Sequence, residues 1–181
     1  AQEQRFDSWK KIWIMRIQSF EMFESSSSSQ LTQEQIDWCN KHIKGKWKVN
    51  SQGEIEAGDN VVIRGDLDKF IVKFAPVKGN FDCGKCKKLT SLEGVPSSVG
   101  GDFHCNNCTK LISLEGAPSS VGGSFNCDGC KSLTSLKGVP SSINGDFSCN
   151  DCTSLTSLDG APSSVGETFS CNDCTSLTSL E

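Results

Sequence analysis

Paired cysteines are the residues of this chain whose type and spacing could do chemistry. The segment SFNCDGCKSLTSL, residues 124–136, holds Cys127 and Cys130 with two residues between them. Two such pairs can supply the four thiolates of a zinc or iron-sulfur site, and a single pair can form a redox-active disulfide. The spacing therefore raises metal binding or redox chemistry as the first hypothesis for function.

The elements that must position these cysteines are internal repeats. The pair recurs with its neighbours at a fixed period of 22 residues, and a period between about 20 and 50 residues predicts a solenoid whose units bury their apolar faces against one another. We expect the core of this solenoid to contain one phenylalanine and two cysteines from each unit. These residues are Phe81, Phe103, Phe125, Phe147 and Phe169, then Cys83, Cys105, Cys127, Cys149 and Cys171, then Cys86, Cys108, Cys130, Cys152 and Cys174.

Each unit has the pattern of a short strand followed by turns. In F-x-C the alternation places the phenylalanine and the first cysteine on one face, as in a half-buried strand. The following L-x-x-L leads to G-x-P, which ends regular structure and turns the chain back. The sequence therefore predicts an α/β repeat fold made mostly of short parallel strands and turns.

The unit V-x-x-x-F-x-C-x-x-C-x-x-L resembles the leucine-rich repeat consensus, with Phe103, Cys105, Cys108 and Leu111 at its key positions. The resemblance covers residues 46–181 and implies a leucine-rich-repeat-like solenoid. In that family the second cysteine points inward and hydrogen-bonds the loop backbone of neighbouring turns. The segment SLEGAPSSVGGSF is also similar to the repeat units of uncharacterised bacterial and bacteriophage proteins with the pattern L-T-S-L-x-G-x-P. This resemblance implies an architecture and no activity.

Three interpretations of the cysteines compete. Stacked strands place equivalent residues about 4.8 Å apart in rows, whereas zinc needs four sulfurs about 2.3 Å from one centre. We therefore expect two buried cysteine ladders, the first filling the core and the second capping the loop, with no metal and no cofactor. A zinc or iron-sulfur protein using the paired C-x-x-C motifs is the alternative, and disulfides within C-x-x-C are a third reading.

The composition limits the classes of partner and the compartment that we expect. The chain has 181 residues with 18 basic and 22 acidic side chains, a net charge of -4, which argues against nucleic acid because phosphate binding rests on Lys and Arg. No stretch has the length and apolar character of a membrane span, and the N-terminus lacks the order of a secretory signal. Eleven cysteines, an odd number, favour reduced thiols. We expect an intracellular protein, in the cytoplasm of a bacterium or of a phage-infected host.

The chain divides into four predicted segments. Residues 1–24 form an amphipathic helix or a leader, of which residues 5–23 could touch a membrane or a partner. Residues 25–30 are a Ser-rich linker. Residues 31–78 form an N-terminal cap and residues 79–181 the 22-residue repeat solenoid, which ends inside a unit and so is expected to be truncated at its C-terminus.

The predicted cap contains a helix, a hairpin and a degenerate first repeat. Thr32 and Gln35 have the spacing of a capping box, and Gly45 is expected to end the helix. His42 would lie on the surface of its last turn, where a basic side chain complements the helix dipole. After it, Trp47 and Val49 alternate before a turn at residues 50–53.

No enzyme signal is present. The two histidines, His42 and His104, have no nucleophile or base at a spacing that would gather them into a site. The predicted function is that of a non-enzymatic protein-binding or structural module, without a small-molecule substrate. The candidate binding face is the outward side of the strands, at Asp82, His104, Asn126, Ser148 and Ser170, flanked by Asp102 and Asp146.

Overall fold

The computed structural model describes residues 30–178 of the chain. Helix α1 spans Gln33–His42 and is followed by short strands. The strands are β1 Lys48–Val49, β2 Ile55–Glu56, β3 Val61–Val62, β4 Phe81–Asp82, β5 Ser98–Val99, β6 Phe103–His104, β7 Ser120–Val121, β8 Phe125–Asn126, β9 Ser142–Ile143, β10 Phe147–Ser148, β11 Ser164–Val165 and β12 Phe169–Ser170. The expected amphipathic segment 1–24, and with it the membrane contact of residues 5–23, lies outside the described residues.

The strands stack in parallel as a solenoid, as the repeat predicts. The main sheet has the order β12-β10-β8-β6-β4-β3, and its register places each unit's phenylalanine beside the next one, as in Phe103 beside Phe125. The degenerate first turn joins the same sheet, because Val61 pairs with Phe81. With one helix of ten residues in the described chain, the fold is mostly β. The expected short parallel strands and turns are present, and the α/β class is confirmed only in part because turns connect the strands.

A second sheet, which the sequence analysis did not predict, lies on the other side of each turn. Its order is β11-β9-β7-β5, and each strand consists of a serine and an inward valine or isoleucine. Val77 extends it by a parallel bridge to Val99. The valine that begins the repeat pattern V-x-x-x-F-x-C is therefore a strand residue.

The core is a stack of identical side chains. Successive phenylalanine rings lie between 5.0 Å (Phe103 to Phe125) and 6.0 Å (Phe81 to Phe103) apart, centroid to centroid. The cap continues the stack through Phe74, whose ring meets that of Phe81 edge to face at 5.2 Å. Such aromatic pairs add to the stabilisation from burial alone.

Helix α1 begins at a side-chain capping box and ends where the backbone becomes extended. The Thr32 side chain accepts the Gln35 N–H and the Gln35 side chain accepts the Thr32 N–H, which confirms the capping box. The helix ends at His42, earlier than the predicted Gly45, because Ile43 is extended and forms an antiparallel bridge with Ile63. This bridge covers the β3 edge of the main sheet.

His42 is buried, which corrects its predicted place on the surface. The residue is 5% exposed, and its Nδ1 lies 2.8 Å from the Arg64 carbonyl oxygen. Its ring lies 5.0 Å from that of Trp38. The helix therefore docks on the first turn through its C-terminal end, and His42 joins helix to sheet.

The predicted hairpin is confirmed. Strands β1 and β2 pair antiparallel, with Val49 opposite Ile55, and the Asn50 side chain accepts the N–H groups of Gln52 and Glu54 across the turn. Ile55 also pairs in parallel with Phe74. The hairpin thus adjoins the first repeat.

The last described turn differs from the others in burial. Phe81, Phe103, Phe125 and Phe147 are fully buried, but Phe169 is 37% exposed and Cys171 is half-buried. Strand β12 has a neighbour on one side within the described residues, so these two expected core residues are covered from one side. In residues 30–178, no helix has the length and apolar character needed to cross a membrane.

Candidate functional site

The two cysteines of each unit occupy different positions in the core. The first follows the phenylalanine strand and its side chain fills space between turns. The thiols of Cys127 and Cys149 also donate to the Ser148 and Ser170 carbonyls, at 3.4 Å and 3.6 Å. The second donates its thiol to the backbone carbonyl of the first cysteine of the preceding turn, as Cys108 does to Cys83 at 3.3 Å and Cys130 to Cys105 at 3.2 Å. Cys152 and Cys174 repeat the contact on the following turns.

This contact gives the C-x-x-C spacing a structural explanation. The carbonyl of the first cysteine points into the apolar core just where the strand ends, and a buried carbonyl without a partner is costly. A thiol is a weak donor small enough to reach it in a close-packed interior. Motif spacing and the 22-residue period together place this donor one turn further along the solenoid.

Burial favours the protonated form of several thiols, whereas a hydrogen bond with Cys127 lowers the pKa of Cys152. Burial raises the pKa of Cys39 and of Cys86 to about 11, and it raises the pKa of Cys83 well above its ordinary range, with neighbouring thiols adding to the effect. Since thiolates are the nucleophiles and the metal ligands, the core disfavours both roles. All eleven cysteines are free.

The donor geometry does not converge on a metal. Within residues 30–178, no group of three or more His, Cys, Asp or Glu side chains is arranged to hold an ion. The cysteines instead form two parallel ladders, with the thiols of the second ladder directed at carbonyls. A zinc tetrahedron would require these side chains to turn away from the carbonyls. The carbonyls would then be buried in the core without a hydrogen-bond partner.

The outward side of the main sheet forms a shallow groove of about 490 Å³. Of the predicted binding face, the structure brings together six residues here: Asp102, His104, Asn126, Asp146, Ser148 and Ser170. Asp82 lies next to this groove on β4, where it accepts a hydrogen bond from Arg64 at 2.7 Å. No lysine or arginine is among the lining residues, so the groove presents small polar and acidic groups.

Each flanking side chain of the groove is tied to the next turn. Asp102 accepts the Ser124 N–H through Oδ1 at 2.8 Å, and Asp146 accepts the Thr168 N–H through Oδ1 at 2.9 Å. At the equivalent position, Asn80 accepts the Asp102 N–H at 2.8 Å. One carboxylate oxygen of each aspartate is thereby fixed. The second oxygen of Asp102 accepts a longer bond from the Asn80 amide at 3.4 Å, and that of Asp146 has no such bond among the described residues.

A second polar ladder, which the sequence analysis missed, borders the groove on its other side. Asp128 accepts the Asn150 N–H and the Ser148 hydroxyl, and Asn150 accepts the Asn172 N–H and the Ser170 hydroxyl. The signal was the polar residue that follows the first cysteine in several units. These bonds orient Ser148 and Ser170, two predicted face residues, toward the ladder.

Asp82 is electrostatically distinct from the other carboxylates of the face. Partial burial raises the pKa of its carboxyl, but the hydrogen bonds from Arg64 and from the Gly84 N–H, together with the guanidinium charge, outweigh this effect, so the pKa lies below its ordinary value. Arg64 thus neutralises the N-terminal end of the face. Farther along, His104 Nε2 lies 3.9 Å from Asp102 Oδ2.

The hydroxyl groups of the repeats have structural partners. Thr109 and Thr156 donate to carbonyls one turn earlier, at Lys87 and Thr134, and Ser119 donates to the Ser97 carbonyl. These side chains hold neighbouring turns together at the surface.

Comparisons with known proteins do not extend these observations. No family model matches the chain, and neither a curated protein nor a solved structure matches it significantly.

Proposed function

We propose that this protein is a non-enzymatic recognition module that binds a basic segment of a partner protein on the outward face of its main sheet. The observation that carries the proposal is the groove of about 490 Å³, lined by carboxylates that the ladder holds in place. Solenoids use extended faces of this kind for binding. Carboxylates that are already positioned lose little conformational freedom when a cation arrives.

The negative charge of the groove favours a basic partner. Asp146 keeps one oxygen free of the ladder, and the second oxygen of Asp102 accepts only a long bond of 3.4 Å from Asn80. Stacked strands about 4.8 Å apart place the two carboxylates roughly 10 Å apart across Ser124. An extended peptide with basic residues three positions apart spans about the same distance. Tight interfaces typically rest on aromatic and arginine anchors. Phe125 and Phe147 lie beneath this groove but are fully buried, and no arginine lines it, so we expect modest affinity with strong salt dependence.

The finer assignment is to the leucine-rich-repeat class, close to bacterial or bacteriophage proteins with L-T-S-L-x-G-x-P units. The thiol of Cys108 on the Cys83 carbonyl supports it, because the consensus cysteine of that class is expected to bond the backbone of a neighbouring turn. The eleven free thiols fit a reducing, intracellular compartment such as the cytoplasm.

The test uses the octapeptide KSSKSSKS, with a lysine at every third position, as a probe and follows backbone amide shifts by NMR. We expect shifts at His104, Asn126 and Ser148. The double variant Asp102→Asn and Asp146→Asn should abolish them without loss of stability, because Asn80 already performs the same ladder role with an amide oxygen. A matched control, Asp159→Asn, removes a surface carboxylate that pairs with Lys137 and should leave binding unchanged.

Binding that persists in the double variant, or shifts that fall away from the groove, would contradict the proposal. Metal analysis of the same anaerobically purified sample separates the alternative function. Stoichiometric zinc or iron released on denaturation would favour a metalloprotein over a recognition module.

A further inference from the structure

A row of exposed lysines follows the C-x-x-C turns of three successive units. The row consists of Lys87, Lys110 and Lys131, all of them exposed, and we call it the lysine ridge. None of the three lines the groove of the main sheet. None forms an ion pair within residues 30–178. The ridge is therefore a second charged surface of the solenoid, opposite in sign to the groove.

The repeat itself shows that the ridge is not needed for stacking. At the position of Lys87 and Lys131, the other units carry Thr109, Thr153 and Thr175. The Thr109 hydroxyl donates to the Lys87 carbonyl one turn earlier, so threonine ties neighbouring turns together. Like charges on neighbouring turns instead repel each other. The lysines depart from the repeat in a way that the packing of the isolated chain does not explain.

An exposed apolar side chain lies beside the ridge. Ile112 is 60% exposed and follows Lys110 by two residues, on the middle of the three ridge turns. At the same position other units carry a threonine, such as Thr156, whose hydroxyl donates to the Thr134 carbonyl. The ridge thus combines positive charge with an apolar side chain that folding leaves uncovered.

The spacing of the ridge equals the spacing of the carboxylates in the groove. Lys87 and Lys131 occupy the same position of units that are two turns apart, and so do Asp102 and Asp146. Two steps of about 4.8 Å place the members of each pair roughly 10 Å apart. In both rows a small hydroxyl residue stands between the two charges. Because both rows follow the same stacking, they stay in register when two solenoids lie side by side.

We propose that the basic partner of the groove is a second copy of this chain, which docks through its lysine ridge. Lys87 of one copy would pair with Asp102 of the other, and Lys131 would pair with Asp146. The methylene stems of the lysines would cover the row of small polar residues between the carboxylates. This inference rests on the proposed function, since it names the source of the cations that the groove binds.

The acidic side chains near the ridge leave its lysines available. Asp66 is paired with Lys88, at 3.3 Å. Glu93 and Glu115 follow the second leucine of their units, at the next turn of the chain. Asp151 is in the C-x-x-C turn of the unit after the ridge, and it forms no ion pair within the described chain. The ridge can therefore pair with carboxylates of another copy.

The contact would be heterologous, because the ridge and the groove are different surfaces of one copy. Each docked copy keeps one ridge or one groove open, so association should continue beyond the dimer as concentration rises. Exposed ion pairs contribute little each. We therefore expect weak association, with a dissociation constant on the order of 1 mM, that salt weakens further.

Two complementary double variants of the full chain test the contact. The ridge variant carries Lys87→Thr and Lys131→Thr, and the groove variant carries Asp102→Asn and Asp146→Asn. Each alone should be monomeric in analytical ultracentrifugation at about 1 mM protein. The buffer contains about 50 mM salt, which screens much of the repulsion due to the net charge of -4. A mixture should form a one-to-one complex, because it holds one intact ridge and one intact groove.

NMR locates the contact in this mixture. Unlabelled groove variant, titrated into nitrogen-15-labelled ridge variant, should shift the amides of His104, Asn126 and Ser148. Adding Lys131→Thr to the groove variant should weaken binding about fivefold, the effect of losing one good surface ion pair. A matched control, Lys44→Thr in the groove variant, removes an exposed lysine away from the ridge and should leave binding unchanged.

Two outcomes would overturn the inference. One is the absence of groove shifts at millimolar groove variant, and the other is equal binding after Lys87 and Lys131 of the groove variant are both changed to threonine. The peptide KSSKSSKS, added to the same labelled sample, separates this inference from the proposed function. If the peptide shifts the groove amides and the groove variant does not, self-association is excluded and the groove remains a site for a basic partner. If neither shifts them, both proposals are wrong.

Discussion

The two cysteine columns of the solenoid differ in what each thiol does, although both are made of the same buried residue. Cys83, in the first column, is fully buried and fills space. Cys108, in the second, is equally buried but donates to the Cys83 carbonyl at 3.3 Å. The difference teaches that burial explains most of the first column, where the thiols of Cys127 and Cys149 only share a carbonyl that already accepts their own backbone N–H. Hydrogen-bond satisfaction explains the second column.

This distinction follows from where the strand ends. Up to His104 the carbonyls alternate between neighbouring strands, and the Cys83 N–H still donates to the His104 carbonyl. The carbonyl of the first cysteine then turns inward, where the thiol of the next turn bonds it; at Cys127 the Cys130 N–H also reaches this carbonyl, at 3.3 Å. The second column is thus a row of caps for strand ends, and the thiols of the first column mainly fill space.

Alanine substitution should separate the columns most strongly. Cys108→Ala removes a sulfur and leaves the Cys83 carbonyl unbonded in the core, so we expect the free energy of unfolding to fall by about 3 kcal/mol. Cys83→Ala creates a similar cavity without stranding a carbonyl and should cost about 1 kcal/mol. Chemical denaturation under reducing conditions measures both values.

Equal losses for the two variants would break the comparison, because they would mean that the thiol–carbonyl bond contributes nothing measurable. The same pair one turn on, Cys130 with Cys105 at 3.2 Å, provides an internal repeat of the experiment. Its thiols also contact each other, since the pKa of Cys105 is raised first by a hydrogen bond with Cys130 and then by burial.

Serine substitution should have different consequences in the two columns. A hydroxyl at position 108 can still donate to the Cys83 carbonyl, so Cys108→Ser should be about 1–2 kcal/mol more stable than Cys108→Ala. At position 83 the available acceptor is the His104 carbonyl, which already accepts the Cys83 N–H, so a buried hydroxyl gains little there and Cys83→Ser should be no more stable than Cys83→Ala. A serine gain at position 108 alone in denaturation experiments sharpens the comparison, and equal gains at both positions would contradict it.

Much of this architecture is visible in the sequence because each unit repeats the same solution. The period of 22 residues, the parallel stacking and the buried cysteine ladders follow from spacing and alternation alone. The hairpin and the capping box follow from local turn and cap chemistry. Local rules succeed here because neighbouring units are almost the same.

What the sequence did not reveal depends on contacts between unlike segments. The Ser-Val strands are only two residues long, too short for a periodic signal. His42 appeared to be a surface residue, and its burial depends on Arg64 and Trp38. The groove of the main sheet combines side chains from several turns, so its shape appears only in three dimensions.

Alkaline pH should weaken the fold through the thiols. Burial raises the pKa of Cys86 from its ordinary value of 9.0 to about 11, so above pH 9 the unfolded chain releases this proton while the folded chain keeps it. Stability conferred by the neutral thiol is therefore complete below pH 9 and is lost as the pH rises toward 11.

Denaturation of the wild type and of Cys86→Ala at several pH values between 8 and 11 measures this loss. Because the variant lacks one buried thiol, its stability should fall about 1.4 kcal/mol less per pH unit within the window. Cys86 opens the second column, and no thiol–carbonyl bond is recorded for it within the described chain, so the effect isolates burial. Identical slopes would show that the Cys86 thiol ionises in the folded state as it does in the unfolded chain.

The smallest effect concerns the turn that brings the two cysteines of a unit together. Lys85 lies between Cys83 and Cys86 with a φ of 64°, and Gly129 has a φ of 67° at the same position of a later unit. A side chain in this left-handed conformation costs about 1 kcal/mol, so Lys85→Gly should raise the free energy of unfolding by up to that amount, reduced by the greater freedom of glycine in the unfolded chain.

The reverse change, Gly129→Lys, should destabilise, because that position is buried and a Cβ would lie 2.7 Å from Asn107 Oδ1. Thermal unfolding of both variants, with Lys110→Gly as a control for losing a surface lysine, measures the pair. If Lys85→Gly were destabilising like the control, the turn would be held by the lysine side chain, and the conformation that positions the two thiols would depend on contacts outside the C-x-x-C motif.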